Sequence, residues 1–481
     1  MLSALDQALA ACRRPLSAEG RARRPALSEE LARQTPVPDA AERAALDELA
    51  AGAPVLTAGQ QAGLAGGPAL ILWKALALLA AADRLASPLG RRPLCLFWLE
   101  ANDHDWAEAA APGFPLAPAP PPPDSEGRPV GRIALDAAWW EAERASLEPC
   151  LDGWPEGERA VLLAALRGTL AEQTRALLRV LFRGSGLLML DPSRAGCREL
   201  GAPFATRLGG LEGELIEALG RDTRRLLAAG MAAPVTVDER PPWFLEDGEG
   251  RRRRAEPGAA LDAARFSPGV LTRPLLQDWL LEPALVFLGP SERLYHAQLE
   301  GARALLDLPA PPALPRPHVQ LARRGDAETW RGLGADPWQP PQAGRPWPDA
   351  VLERLPGGEA LRGRLERLAA AQAELLAFCA GARPDLEQLA RRQEAWGEQL
   401  AQALRGAHKS AHKEELRRLH SLAAWQDGPA GPQERRVNGL ALLGRLGGRP
   451  VLEALRRELD PFAEGQQRFV CDAATVAVMR E

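Results

Sequence analysis

A chain of 481 residues, 46% hydrophobic and 25% charged at a net charge of −4, has room for two or three domains and is too apolar to be disordered along its length. That charge excludes a bulk electrostatic draw to nucleic acid or to an anionic membrane surface. Six scattered cysteines without a CxxC pair exclude a disulfide scaffold or zinc ribbon, and with no secretory apolar region the expectation is a reduced, cytoplasmic protein.

Residues 2–12 and 39–51 read as helices separated by Pro15, Pro25 and Pro36. PVLTA (54–58) is a short buried-strand pattern running into the Gly-rich turn GQQAGLAGGP (59–68). An apolar helix follows over 68–86, too short and too broken by Lys74 to span a bilayer, and then a second strand pattern, PLCLFWL (93–99). Strand, Gly turn, helix and strand make a βαβ unit and predict a parallel sheet. LLMLD (187–191), PVTVD (234–238) and ALVFLG (284–289) are further strand candidates, with helical stretches at 157–183 and 196–229. The Pro-rich segments 111–124 and 309–317, and the Trp/Pro-rich 330–348, read as exposed, irregular connections. Beyond them Leu361, Leu365, Leu368, Gln372, Leu375 and Cys379 form a heptad seam. After the break at 381–385, Leu386, Leu389, Gln393, Trp396 and Leu400 continue it on a helix reaching about residue 424. The predicted architecture is an α/β core with a Rossmann-like parallel sheet and insertions (1–350), an antiparallel coiled-coil hairpin (351–426) and a C-terminal helical segment docked on the core (427–481).

Of 59 basic residues only three are lysines, and the chain holds just two asparagines and one tyrosine. Lys74, Asn102, Asn438 and Tyr295 are therefore candidates for specific roles. Lys74 lies two turns into the apolar helix, from where its ammonium can lean back toward the preceding turn. In that turn Gly59, Gln60, Gln61, Gly63, Gly66 and Gly67 sit at a strand's carboxyl end and a helix N-terminus, suited to an anion such as phosphate or carboxylate. The turn is neither GxGxxG nor a Walker A sequence. Glu100-Ala-Asn102-Asp103-His104-Asp105 ends the second strand, a set suited to a tuned general base or a divalent metal. FSPGVLTRPLLQD (266–278) offers Arg273, Gln277 and Asp278 for a carboxylate or sugar hydroxyls, and LGPSERLYHAQL (288–299) places Gly289, Glu292, Tyr295 and His296 at another strand end. The basic run Arg251–Arg254 and His408, His412 and His420 read as solvated surface, while GPQERRVN (431–438) reads as a segment that docks the C-terminal helices.

These blocks, in this order, together with PRP (315–317) and the long helical hairpin, resemble the bacillithiol biosynthesis cysteine-adding enzymes, the BshC family. Ala58, Asn102 and Ser291 depart from the family pattern. The resemblance implies a Rossmann-like core and a dimerising coiled coil. It also implies a ligase that forms an amide between cysteine and glucosaminyl-malate, with ATP as the activating co-substrate and any metal open. On that reading Gly66, Gly67 and Lys74 steady phosphate or carboxylate groups. His104 with Asp103 and Asp105 deprotonates or orients the attacking amine, and Arg273 holds the malate carboxylates. Neither HIGH nor KMSKS is present, so an adenylate route rests on analogy alone. The alternatives are another ATP-dependent ligase or nucleotidyl transferase on the same core, a metal-dependent hydrolase built on Asp103-His104-Asp105, and a non-enzymatic coiled-coil scaffold. A shared site requires the blocks at 59–74, 100–105, 273–278 and 289–295 to meet in one cleft.

Overall fold

The computed structural model describes residues 3–341, 347–380, 384–473, 475 and 477–481. The chain divides into two compact units, Met1–Val319 with Glu434–Glu481, and Gln320–Gln433. In the second unit Trp330 and the helix Asp349–Arg354 share a small apolar core with Leu416, Leu419 and Ala423.

The first unit is built on five strands: β1 (Val55–Gln61), β2 (Leu94–Glu100), β3 (Leu187–Leu190), β7 (Leu285–Leu288) and β8 (Ala313–Pro315), in the order β3-β2-β1-β7-β8, every neighbouring pair parallel. Intervening β4 (Trp243–Glu246), β5 (Arg252–Arg254) and β6 (Phe266–Pro268) form a separate small antiparallel sheet. The central strands β1 and β2 run Val55 against Leu94 through Gln61 against Glu100, and their apolar residues are buried on both faces, as a parallel sheet covered by helices requires. One face carries the helix α4 (Leu70–Leu89), buried along most of its length and closed by Gly90 in the left-handed conformation. The other face packs Val55, Leu96, Trp98, Leu188 and Leu190 against α2 (Ala18–Gln34), α3 (Ala40–Ala50) and the helices Ala195–Gly210 and Thr272–Leu281; α1 (Ala4–Cys12) lies beside α4.

Several expectations change here. Pro25 lies inside α2 instead of ending a helix, since Leu27 and Leu31 bury their side chains on the sheet and hold the turn in place. Residues 234–238 are not a strand: the backbone of Val235 pairs with the side-chain amide of Gln298, donating to Oε1 and accepting from Nε2. The Pro-rich stretch 309–317, expected to be irregular, contributes β8, an edge strand where proline removes no needed ladder bond. The helical stretch 157–183 breaks at Gly168, whose φ of +83° suits glycine, and 196–229 breaks at Leu211.

The C-terminal return docks through Asn438. Fully buried, its amide donates to the carbonyls of Ala65 (3.0 Å), Gly67 (3.1 Å) and Pro112 (3.1 Å), while its carbonyl caps the helix Gly439–Leu446 by accepting from Ala441 N (3.1 Å). The backbone of Phe114 exchanges hydrogen bonds with Arg436 and Asn438, so this part of the Pro-rich segment 111–124 is fastened down and not free. The helices Gly439–Leu446 and Arg449–Glu458 then pack against α4, and β9 (Gln466–Asp472) pairs antiparallel with β10 (Ala477–Arg480).

In the second unit the helices Gly358–Cys379 and Pro384–Ala411 lie side by side; the turn expected to join them falls partly at 381–383, outside the described residues. The second helix ends at Ala411, and a separate helix, Lys413–Ala423, follows. Its inner face runs through the small residues Ala390 and Gly397, the latter against Gln372, and not along the expected leucine seam: Leu386, Leu389 and Trp396 are 42%, 58% and 53% exposed. His408 and His412, expected at the surface, lie 3.0 Å from the carbonyls of Leu352 and Pro356 respectively. Among the described residues no helix is long and apolar enough to cross a membrane.

Replacing Asn438 with alanine strands the buried carbonyls of Ala65 and Pro112, leaves Gly67 O only the Gly439 amide, and removes a helix cap. Urea unfolding of Asn438→Ala is expected to show a loss of about 3 kcal/mol, well above a surface substitution.

Candidate active site

The strand order reverses its direction of growth at β1, between β2 and β7, and a cavity of about 240 Å3 opens there at the carboxyl ends of the strands. This switch point is where open α/β sheets bind ligands. Its walls come from all four blocks: Gly59, Gln60 and Gln61 of β1 with Lys74 of α4, Glu100 and Asp103 after β2, Arg273 and Gln277 of the helix Thr272–Leu281, and Gly289, Glu292 and Tyr295 after β7.

Lys74, only 2% exposed, sets the geometry. Its ammonium donates to Gly59 O (2.5 Å), Gln60 Oε1 (2.9 Å) and both oxygens of Glu292 (2.7 and 2.9 Å). Burial pushes the ammonium below its ordinary value; burial also acts to raise Glu292, but the Lys74 charge outweighs it and holds that carboxyl low. Glu292 reaches back over the first turn of its helix to accept from Gly289 N (2.5 Å), so one carboxylate ties the β7 loop to the β1 loop. Opposite, Glu100 accepts from Trp98 Nε1 (3.3 Å) and Asn102 N (2.9 Å) and lies 3.7 Å from the Arg273 guanidinium, which also reaches Tyr295 Oη (3.4 Å). Burial works against the Arg273 charge, but Glu100 and Tyr295 more than compensate and raise its pKa. Arg316, held between Pro315 and Pro317 at the end of β8, forms a buried bidentate pair with Glu434. His296 is pushed well below the ordinary imidazole range by burial and by the charges of Arg303, Arg273 and Lys74, and it stays neutral.

A model of the family described as bacillithiol biosynthesis BshC, N-terminal Rossmann-like domain, matches residues 7–258 and 257–317. The chain belongs to the BshC family. Proteins named "Putative cysteine ligase BshC" are similar to it: one from Salinibacter ruber is 32% identical over 293 residues, 55% of this chain and 53% of its own. Another, from Shouchella clausii, is 30% identical over 292 residues, 54% of each chain. A third, from Staphylococcus carnosus, is 26% identical over 313 residues, 57% of each. The matched part spans just over half the length of these curated relatives.

Not every expected residue of this BshC-family chain reaches the cavity. Gly63, Gly66 and Gly67 lie off its walls, with their amides bonded to Thr174 Oγ1, Gly63 O and Leu64 O, so they offer no phosphate cradle. Lys74 is spent on Glu292 and does not reach out to an anion. Asp278 is buried in an ion pair with Arg303 (2.8 Å), and Asn102 is buried off the cavity wall. Asp103 lines the cavity, but its Oδ1 accepts from the amides of His104 and Asp105, while Asp105 caps the short helix Trp106–Ala109. His104 lies at the rim, its Nδ1 3.2 Å from Arg252, a residue of the run expected to be solvated. A guanidinium only donates, so Nδ1 is the acceptor in this contact and Nε2 is the nitrogen left to donate. Asp103, His104 and Asp105 therefore do not face one point, and among the described residues no group of three or more His, Cys, Asp or Glu side chains is arranged to hold a metal ion. The wall residues missed as functional are Glu108, Arg316 and Arg435. A signal existed for the last two: an arginine pinned between two prolines, and an arginine three residues before a rare asparagine.

Two measurements test this site. Lys74→Met leaves Glu292 buried without its partner and is expected to cost about 3–5 kcal/mol in urea unfolding, with Lys74→Met/Glu292→Gln recovering a large part. His296, depressed in the folded state, binds its proton only on unfolding, so its contribution is present above about pH 6.5 and lost as pH falls below that value. Stability should thus decline below pH 6.5 less steeply in His296→Gln than in the parent, and the His296 ring resonances should not titrate between pH 6 and 8.

Proposed function

We propose that this chain is a cysteine ligase of bacillithiol biosynthesis, joining the carboxyl group of cysteine to the amine of glucosaminyl-malate. The observation that carries the reading is the convergence of four separated blocks on one densely charged cavity at the sheet's switch point. The names of its relatives and the family it belongs to agree with it. Arg273 stands where a malate carboxylate is attractive, with its charge reinforced by Glu100. Glu108, at the cavity mouth, has its carboxyl raised above the ordinary range by partial desolvation and by Asp103 and Asp105, which suits it to accept the proton that the attacking amine must lose. His104 would then donate from Nε2 to an oxygen of the bound substrate. ATP would supply the activation that a free carboxylate needs, although the glycine amides do not fit its phosphates. A metal-dependent hydrolase is not favoured, because Asp103 and Asp105 are turned to backbone amides.

The test supplies cysteine, glucosaminyl-malate and ATP to the purified chain and follows bacillithiol by mass spectrometry. Product is expected from the parent, with Arg273→Ala lowering kcat/KM by at least about tenfold, the scale of one charged hydrogen bond. Glu108→Gln should lower kcat and remove the acid limb of its pH profile. A chain without any thiol product, or one whose product is unaffected by both changes, overturns the reading.

The exposed Phe378, Leu389 and Trp396 on the helical hairpin suit a second copy of the chain. Sedimentation is expected to give a dimer for the parent and a monomer for Phe378→Glu/Trp396→Glu.

A further inference from the structure

Three of the four lysine and arginine side chains on the cavity wall have carboxylate neighbours supplied by the protein: Lys74 has Glu292, Arg316 has Glu434, and Arg273 has Glu100. The fourth, Arg435, has no carboxylate within ion-pair distance, and Glu108 acts on it only at longer range. Among the described residues its side chain makes no ion pair and no hydrogen bond, although it lines the cavity. Its side chain is exposed, but the backbone that carries it is held on both sides. Glu434 before it is 2% exposed, clamped on Arg316, and accepts from Val319 N (3.4 Å); Val437 and Asn438 after it are fully buried, with Asn438 bonded to three carbonyls. A backbone fixed on both sides thus presents to the cavity a guanidinium with no ion pair of its own, on a wall that also carries Asp103 and Glu108. It faces the same space as Arg273, and its charge is felt by Glu108 across the mouth. A planar fork held in this way favours a planar oxyanion that takes two parallel hydrogen bonds.

We infer that Arg435 is a specificity-determining residue that binds a carboxylate of the acceptor substrate, completing with Arg273 a two-arginine clamp for a small dicarboxylic group. The site is then incomplete without the C-terminal return, which lies beyond residues 7–317 matched by the family model. Assigning the dicarboxylic group to the malyl end of glucosaminyl-malate rests on the ligase reading above; the clamp itself does not.

Binding of L-malate alone to the full-length chain, measured by titration calorimetry, tests the clamp without any turnover. Arg435→Gln is expected to raise the Kd by about tenfold to a hundredfold, the range of a charge-assisted hydrogen bond, with Arg435→Lys between it and the parent. Arg457→Gln, exposed on the helix Arg449–Glu458, should bind as the parent does. In turnover, Arg435→Gln should raise KM for glucosaminyl-malate with kcat little changed. Unchanged malate binding in Arg435→Gln overturns the clamp, as does a parent chain that does not bind malate. So does an Arg435→Gln variant that loses inorganic phosphate and keeps malate, which assigns the residue to a phosphate instead. Malate binding that depends on Arg435 in a chain making no bacillithiol would retain the clamp and overturn only the ligase reading.

Discussion

The buried ion pair of Lys74 and Glu292 is the constraint on which the rest of the site depends. Two charges leave water at the point where β1 and β7 part, a placement that costs several kcal/mol per ion unless every donor and acceptor is satisfied. An ammonium is a compact charge with three donors, and here the acceptors are a backbone carbonyl, a side-chain amide and a carboxylate disposed around it. The flat fork of arginine, with five donors in fixed directions, does not match that set. This accounts for the only lysine in the first 408 residues of a chain otherwise furnished with arginine. The pair braces α4, the β1 loop and the helix after β7 against one another, and in doing so consumes the charge that would otherwise be free for a ligand.

A second consequence concerns the end of the chain. The βα turn at 63–68 looks from its glycines like an anion cradle, yet its carbonyls are turned to Asn438 and its amides are bonded locally. The glycines are there for conformation: Gly66 and Gly67 have φ of +75° and +67°, and a Cβ on Gly67 would come within 2.7 Å of Ile71. The turn is a dock for the C-terminal return. Because Glu434 and Arg435 precede Asn438 on the same short stretch, fastening the return also sets Arg316 and delivers Arg435 to the cavity wall. Folding of the core and completion of the site are one event.

The legible parts of this fold were those that bury apolar surface without help. β1, β2, β3 and β7 are short apolar-rich runs, and α4 is a mostly apolar helix interrupted by Lys74, so pattern alone finds them. β8 was hidden because its residues, Ala-Leu-Pro, carry no strand signal and become a strand only through pairing with β7. Val235 and Val237 mislead in the opposite sense: they alternate like a strand, but the partner that meets Val235's backbone groups is a glutamine side chain. On the hairpin helix, leucine spacing pointed to one face, whereas the close approach of the two helices selected glycine and alanine. At the site, residue type revealed that Lys74, Tyr295, Glu292 and Arg273 matter, while the roles of Lys74, Glu292 and Arg273 depended on contacts distant in sequence, such as the 218 residues separating Lys74 from Glu292.

Charge accounting across the cavity links these points. Cations and carboxylates both line this small cavity, and the fold pairs Lys74 with Glu292, Arg316 with Glu434 and, more loosely at 3.7 Å, Arg273 with Glu100. Tight pairs serve as braces: their geometry is set before any ligand arrives, and opening them would expose buried charge. A loose pair and an unpaired guanidinium differ in kind, because an incoming carboxylate can approach Arg273 and Arg435 without breaking a bond the fold relies on. Rigid, neutralised walls with a small unneutralised remainder let the cavity select an anion while the cost of ordering its cations is met during folding. In this chain that remainder is divided between the helix before β7 and the C-terminal return, so both segments must be in place before the site has its full charge.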